Sequence, residues 1–207
     1  MFRKKMFVVG LIFALLGLGA IFLWLNFKAA RSMTKADQQV STSSFGFEKG
    51  ESVQAKEPLS VVVEGDDGLL NIVDRQIERN FLNGNQAGII LEKEVRTDID
   101  HFQVVVDLKN NALIWTPFYA RSQVEANFAF SSNGDLSWRD QDAIEFSSEQ
   151  GQAVAVRGSI QLSDTTYGLI SRPAYLSYLS EEIVVRVDKA IRKALANPTN
   201  PALITDP

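Results

Sequence analysis

The longest apolar run lies near the start of the chain. Met6 to Leu25 holds twenty residues without a charge, MFVVGLIFALLGLGAIFLWL. As a helix such a run spans about 30 Å, the thickness of a bilayer's hydrocarbon core. Trp24 stands at its end, where an amphipathic ring prefers the interface. The pattern predicts a transmembrane helix over 6–26 behind a cytoplasmic N-terminus of residues 1–5. A cleaved signal peptide is the rival reading. The length of the run, and Lys28 ahead of the weak Ala29-Ala30 site, favour an uncleaved anchor. Arg3, Lys4 and Lys5 precede the run while Lys28, Arg31 and Lys35 follow it, so the positive-inside count is close to a tie. The short basic N-terminus favours an N-in orientation, with the rest of the chain extracytoplasmic.

Residues 27–58 are rich in Ser, Thr, Gln, Lys and Glu with scattered single hydrophobes, and read as a polar linker. Residues 59–197 read as one α+β domain. Leu59 to Val63 is a β-branched run and a first strand. Asp66 and Asp67 cap a helix in which Leu69, Val73, Ile77 and Phe81 recur every four residues, with Gly84 as its stop. The period then changes to two. Strands are predicted over Gly88–Arg96 and from Phe102 to Leu108, followed by a turn at Asn110-Asn111. A return strand runs from Ala112 to Tyr119, with Pro117 marking a bulge or an edge. Val124, Ala126, Phe128 and Phe130 alternate in the next strand. Asn133-Gly134 is a strong hairpin signal, and Leu136 and Trp138 begin the strand after it. Ile144 and Phe146 suggest another short strand. Val154, Val156, Gly158, Ile160 and Leu162 share one face of the last. Ser163 to Ser171 reads as a short helix or turn ended by Arg172-Pro173. Ser180 caps a final helix with a stripe of Ile183, Val187, Ile191 and Leu195, ended by Asn197-Pro198. Residues 198–207 form a flexible tail. The fold class expected is therefore α+β: an N-terminal transmembrane helix, then an antiparallel β-meander packed against two amphipathic helices.

Charge narrows the partners. Without Arg3, Lys4 and Lys5 the chain carries 18 basic residues against 25 acids, a net of −7 for everything beyond the apolar run. Such a surface repels phosphate backbones and argues against nucleic acid. The chain has no cysteine, so disulfides, thiolate nucleophiles and cysteine-bound zinc are excluded.

Little in the sequence carries chemistry. The single histidine, His101, follows Asp98 and Asp100 and reads more simply as part of a polar turn than as a metal ligand. No G-x-S-x-G elbow, phosphate loop or dinucleotide fingerprint occurs. Asp135, Asp140, Asp142 and Glu145 lie close together, as paired carboxylates would, but beside a hairpin loop where acids are ordinarily solvated. Asp66-Asp67-Gly68 lacks the later ligands of a calcium loop. No catalytic residue, metal site or cofactor is assigned. Aromatic residues gather at Trp115, Phe118 and Tyr119 and again at Tyr167, Tyr175 and Tyr178 beside Arg172, which makes these seven a candidate binding patch.

The order of elements, a helix at Leu69–Asn83, curved strands, then a helix at Ser180–Ala196, resembles membrane-anchored extracytoplasmic domains of the tubular lipid-binding (TULIP) type. That resemblance covers 59–196, rests on layout alone, and implies an apolar groove for acyl chains. A cystatin-like or NTF2-like layout matches the same order. The leading functional expectation is a non-enzymatic binding or assembly domain, tethered to the membrane by its helix and engaging a protein partner of the cell envelope. A lipid or hydrophobic-ligand binder is the second expectation. A hydrolase of envelope polymers using the acidic residues is the third.

Overall fold

A computed structural model describes residues 27–48, 58–65, 89–96, 99–141, 152–198 and 204–206, together with the single positions 17, 19, 51, 53, 73 and 144. Chain order among them is β1 (Lys28–Phe45), β2 (Leu59–Glu64), β3 (Ile89–Glu92), β4 (Phe102–Thr116), β5 (Tyr119–Ser131), β6 (Ala153–Ile170), α1 (Arg172–Ala196) and β7 (Ile204–Asp206). The seven strands form one sheet in the order β3-β2-β4-β5-β6-β1-β7. β2 runs parallel to both β3 and β4, and the other pairings are antiparallel.

The period-two runs explain which face is buried. In β4, Phe102, Val104, Val106 and Leu108 point to one side; in β5, Val124, Ala126, Phe128 and Phe130 do the same; in β6, Val154, Val156, Ile160 and Leu162 complete the layer. Helix α1 lies across this face and buries Leu179, Ile183, Val187, Ile191 and Leu195 against it. Phe102 and Phe130 meet edge to face with centroids 5.3 Å apart. Gly158 sits between Phe128 on β5 and Val40 on β1, and a Cβ there would fall 2.6 Å from the Phe128 ring and from the Gln39 carbonyl. The missing side chain lets the ring lie across β6.

The helix starts earlier than its apolar stripe suggests. Ser171, in extended conformation, accepts from the Ala174 N–H, and Pro173 occupies the first turn. Ser180, expected as the cap, lies inside the helix and donates back to the Leu176 carbonyl. Arg172-Pro173 therefore opens the helix. Ser163–Ser171, expected as a helix or turn, is largely the end of β6.

Four further expectations are corrected. Of the linker expected over 27–58, residues 28–45 are not a tether, because Lys28 to Phe45 pairs residue for residue with β6 from Ile170 to Ala153. Apart from Met33, Val40 and Phe45 its large side chains are polar or charged, so no sustained hydrophobic period marks it; pairing with β6 makes it a strand. Asn110-Asn111 is not a turn: β4 continues across a bulge between Lys109 and Ala112 to Thr116, and the reversal comes at Pro117-Phe118. Leu136 and Trp138 do not begin a strand. After Gly134, whose φ is +81°, the chain folds over the sheet's second face, where both side chains pack on Val62, Val105, Ala129 and Ala155. The tail is not wholly free, since Ile204–Asp206 pairs with Gln38–Val40.

The expected fold class is corrected as well. Among the described residues the domain is a mixed sheet backed by one long helix, not an antiparallel meander against two. Strands adjacent in sequence were assumed to be adjacent in the sheet, whereas β1 closes onto β6, and β2 inserts parallel to β4. The helix expected over Leu69–Asn83 lies outside the described residues except for Val73, which is helical and buried in the core. Among the described residues no helix is long and apolar enough to cross a membrane. The transmembrane helix over 6–26, and the membrane localisation and orientation drawn from it, are therefore not supported. An apolar composition reports a preference for leaving water; it does not by itself make a spanning helix. Of that segment only Gly17 and Gly19 are described, both as helical.

Candidate functional site

The sheet's second face divides into two parts. Near β2 it is covered by the segment from Asp135 to Gln141. There Trp138 Nε1 donates to the Asp135 carbonyl at 2.8 Å, and Arg139 forms a two-pronged bond with Glu64 at 2.9 and 3.0 Å. Burial works against the Arg139 charge, but the Glu64 carboxylate outweighs it and holds the guanidinium above its ordinary pKa. The buried Gln103 amide, oriented to satisfy its neighbours, donates to the Arg96 and Gly134 carbonyls and accepts from the Arg96 N–H. Beyond this cover the face is open.

At the far end of the open part, cross-strand registers assemble two rows over four strands. One row reads Thr116, Tyr119, Tyr167, Arg31; the next reads Ile114, Arg121, Thr165, Met33. Tyr119 and Tyr167 stack with centroids 5.5 Å apart. Phe118, next in sequence to Tyr119, lies in the reversal. Exposure is high for large apolar groups: Phe118 69%, Ile114 60%, Met33 57% and Tyr167 53%. The rest of the face is ordinary for a solvated sheet, with Gln123, Glu125, Gln161 and Ser163 outward.

The seven residues of the candidate patch part company. Tyr119 and Tyr167 come together on this open face, and Phe118 is exposed at the reversal that adjoins it. Trp115 turns to the other side and donates from Nε1 to the Ile170 carbonyl at 3.2 Å. Arg172 is exposed at the start of α1. Tyr175 is fully buried and Tyr178 half-buried under that helix. Ile114, Met33, Arg31 and Arg121 belong to the patch but were missed. Only the strand registers bring them there, and nothing in their local sequence signals it.

Tyr175 and Tyr178 serve a buried polar cluster instead. Asp164 is 1% exposed on β6. Its Oδ1 accepts from Thr34 at 2.7 Å, and its Oδ2 accepts from Thr166 at 2.8 Å and from Tyr175 at 2.9 Å. Tyr175 Oη also lies 3.0 Å from Ser122 Oγ, and Thr34 bonds Tyr178. The Lys28 ammonium stands 3.5 Å from the centroid of the Tyr178 ring. The cluster pins α1 to β1, β5 and β6 where the apolar layer runs out. Burial raises the Tyr175 pKa well above the ordinary range; the Ser122 bond opposes this and Asp164 adds to it. Tyr178 is also raised, first by burial.

A pH prediction follows with its sign. Both phenols hold their protons more tightly folded than unfolded, so their contribution is complete below about pH 10 and is lost as pH rises through the folded values. Chemical denaturation across pH 8–12 is expected to show stability falling above about pH 10, by up to ~1.4 kcal/mol per pH unit from Tyr175, with Tyr178 adding in the same direction. Tyr175→Phe is expected to shallow that fall. A stability profile level through pH 11 would contradict the cluster.

The remaining candidates resolve as structure. Ser60 Oγ and His101 Nε2 lie 2.8 Å apart, and Asp100 is 3.9 Å from Nδ1, an order that mimics a nucleophile, base and orienter. Ser60 is 1% exposed within β2, so a substrate carbonyl has no approach to it. Asp100 is beyond hydrogen-bond distance. The pair fastens β2 to the turn ahead of β4. Asp135 accepts from the Ser137 N–H in its own turn, and Asp140 stands exposed 3.4 Å from Arg139. Asp142 and Glu145 lie outside the described residues. Among the described residues no cluster of three potential metal ligands occurs. A groove of about 410 Å³ lies beside Arg139, with Val40, Val105, Phe128 and Ala129 in its lining and Asp107 and Arg157 among its polar groups. Its charges are matched internally: Arg139 to Glu64, Lys109 to Asp107 at 3.2 Å, and Arg157 to the Gln141 carbonyl.

Fold and site define a mostly β domain, a mixed sheet with a C-terminal helix on one face and an aromatic-edged open face on the other. No protein-family model matches the chain. No curated protein matches it either. Among solved structures it is similar to a dodecamer of a PelC variant from Paraburkholderia phytofirmans, at 9% identity and a TM-score of 0.36, covering 75% of this chain and 98% of that one.

Proposed function

We propose that this chain is a non-enzymatic binding or assembly domain that engages a protein partner through the open face around Phe118, Tyr119 and Tyr167. The observation that carries the reading is the exposure of Ile114, Met33 and Tyr167 on one patch beside Arg31 and Arg121, with Phe118 exposed at the adjoining reversal. Large apolar groups gathered on a rigid surface are costly in water unless something covers them. Aromatic rings with arginine at the margin make the composition of a protein–protein hot spot. A sheet held by long registers also presents them without an ordering cost at binding. The acyl-chain reading draws less support, because the apolar face of the sheet is filled by α1.

The test is site-specific photocrosslinking in cells, with the photoreactive residue at position 118 and, as control, at Gln123 on the same face. A discrete protein adduct is expected at 118 and not at 123, and Tyr167→Ala should reduce it about tenfold or more, the loss expected of one hot-spot aromatic. Equal adducts at both positions, or an adduct indifferent to Tyr167→Ala, would remove the patch as the binding surface.

A further inference from the structure

The sheet leaves one long edge uncovered among the described residues. β1 has eighteen residues, and on its outer side only Gln38–Val40 meet β7. The other edge strand, β3, is only four residues long.

The free stretch is ready to pair. The Phe27 carbonyl, just before β1, accepts from the Ser171 N–H at 2.9 Å, and the register onward to Phe45 has no break. Backbone groups alternate in direction along an antiparallel strand, so odd residues of β1 face β6 and even residues face outward. Gln38 and Val40, which meet β7, are even, as this requires. Ala30, Ser32, Thr34 and Ala36 therefore turn their N–H and C=O groups to the open edge.

Side chains select the occupant. On the open face the strand carries Arg31, Met33, Lys35 and Asp37, all exposed. An antiparallel pairing of β1 with itself keeps each face on its own side, so it is centred on one residue. Centring on Met33 sets Arg31 against Lys35, and centring on Lys35 sets like charges directly opposite; both are unfavourable. Centring on Thr34 sets Arg31 against Asp37 at both ends and lays Met33 beside the Lys35 stem. That register uses residues 31–37 and stops where β7 begins.

We propose that two copies of this chain join through β1, antiparallel about Thr34, into one continuous sheet with two Arg31–Asp37 pairs. About six backbone hydrogen bonds form, two from each of the pairs 32–36, 34–34 and 36–32. The two open faces become one surface, with each copy's patch beside the joint. The pairing shares Arg31 and Met33 with that patch but rests on the strand edge, not on what the patch binds.

The test uses sedimentation equilibrium on the full chain. A concentration-dependent dimer is expected. Arg31→Asp alone, or Asp37→Arg alone, breaks both ion pairs and sets like charges together, and should weaken the dimer about tenfold or more. The combined R31D/D37R chain should return to within about threefold of the starting affinity, because the pairs re-form with their signs exchanged. Because the chain has no cysteine, a second reading is available. A mixture of M33C and K35C chains should form a mixed disulfide faster than either variant alone forms its own. A monomer at all concentrations, a dimer indifferent to the single reversals, a failed rescue, or no preference for the mixed disulfide would each overturn the pairing. The first of these is also the outcome if another segment or another protein occupies the edge.

Discussion

Trp138→Ala is expected to lower the unfolding free energy by about 3–5 kcal/mol, as read by chemical denaturation. The residue is 1% exposed and sits on the sheet's second face, where Val62, Val105, Leu136, Ala129 and Ala155 surround it. Removing the indole leaves a cavity with small neighbours on two sides, Ala129 and Ala155, that cannot fill it. It also releases the Asp135 carbonyl from its bond to Nε1. Phe118→Ala on the same molecule removes a ring that is 69% exposed and is expected to cost under ~1 kcal/mol. The contrast separates a residue that closes the fold from one available to a partner. A loss below ~1 kcal/mol for Trp138→Ala would mean that the Asp135–Gln141 segment does not cover the sheet.

Asp164→Ala carries the second large effect, about 3–5 kcal/mol. Three hydroxyls, from Thr34, Thr166 and Tyr175, converge on this carboxylate. Truncation leaves them buried without their acceptor, and the rotation of a hydroxyl recovers only part of the cost. Asp164→Asn tests the cause. The amide keeps the shape, and its oxygen still accepts on the side of Thr166 and Tyr175, while its nitrogen requires Thr34 to turn and accept. About 1–2 kcal/mol is expected for that change. Equal losses for Ala and Asn would assign the effect to the charge; no loss for either would dissolve the cluster as the pin that holds α1.

Legibility followed the physics of each element. Strands with one apolar face announced themselves, because Phe102-Val104-Val106-Leu108 and Val124-Ala126-Phe128-Phe130 must alternate to bury one side. The stripe Ile183-Val187-Ile191-Leu195 did the same for the body of α1, and Asn197 was found as its end. The helix start was misplaced because Ser180 has the character of a cap, whereas the stripe runs back by fours through Leu179 to Tyr175. β1 left no trace, since Ser32, Thr34 and Gln38 face the helix side as polar groups whose partners, Thr166, Asp164 and the Arg186 carbonyl, come from far along the chain. For the site, Phe118, Tyr119 and Tyr167 stood out as aromatics, but their separation from Trp115, Tyr175 and Tyr178 depends on strand parity across the Lys109–Ala112 bulge and the reversal at Pro117.

The amino-acid pattern by itself determined that this chain builds an apolar-faced sheet with an amphipathic helix against it, since burying those side chains is a local demand repeated at every second or fourth residue. Only the tertiary structure decided that β1 joins β6, that Trp138 covers the second face, and that Ile114, Met33 and Tyr167 meet in the open. Those outcomes rest on registers between distant strands, whose free energy belongs to the pair and is absent from either segment alone.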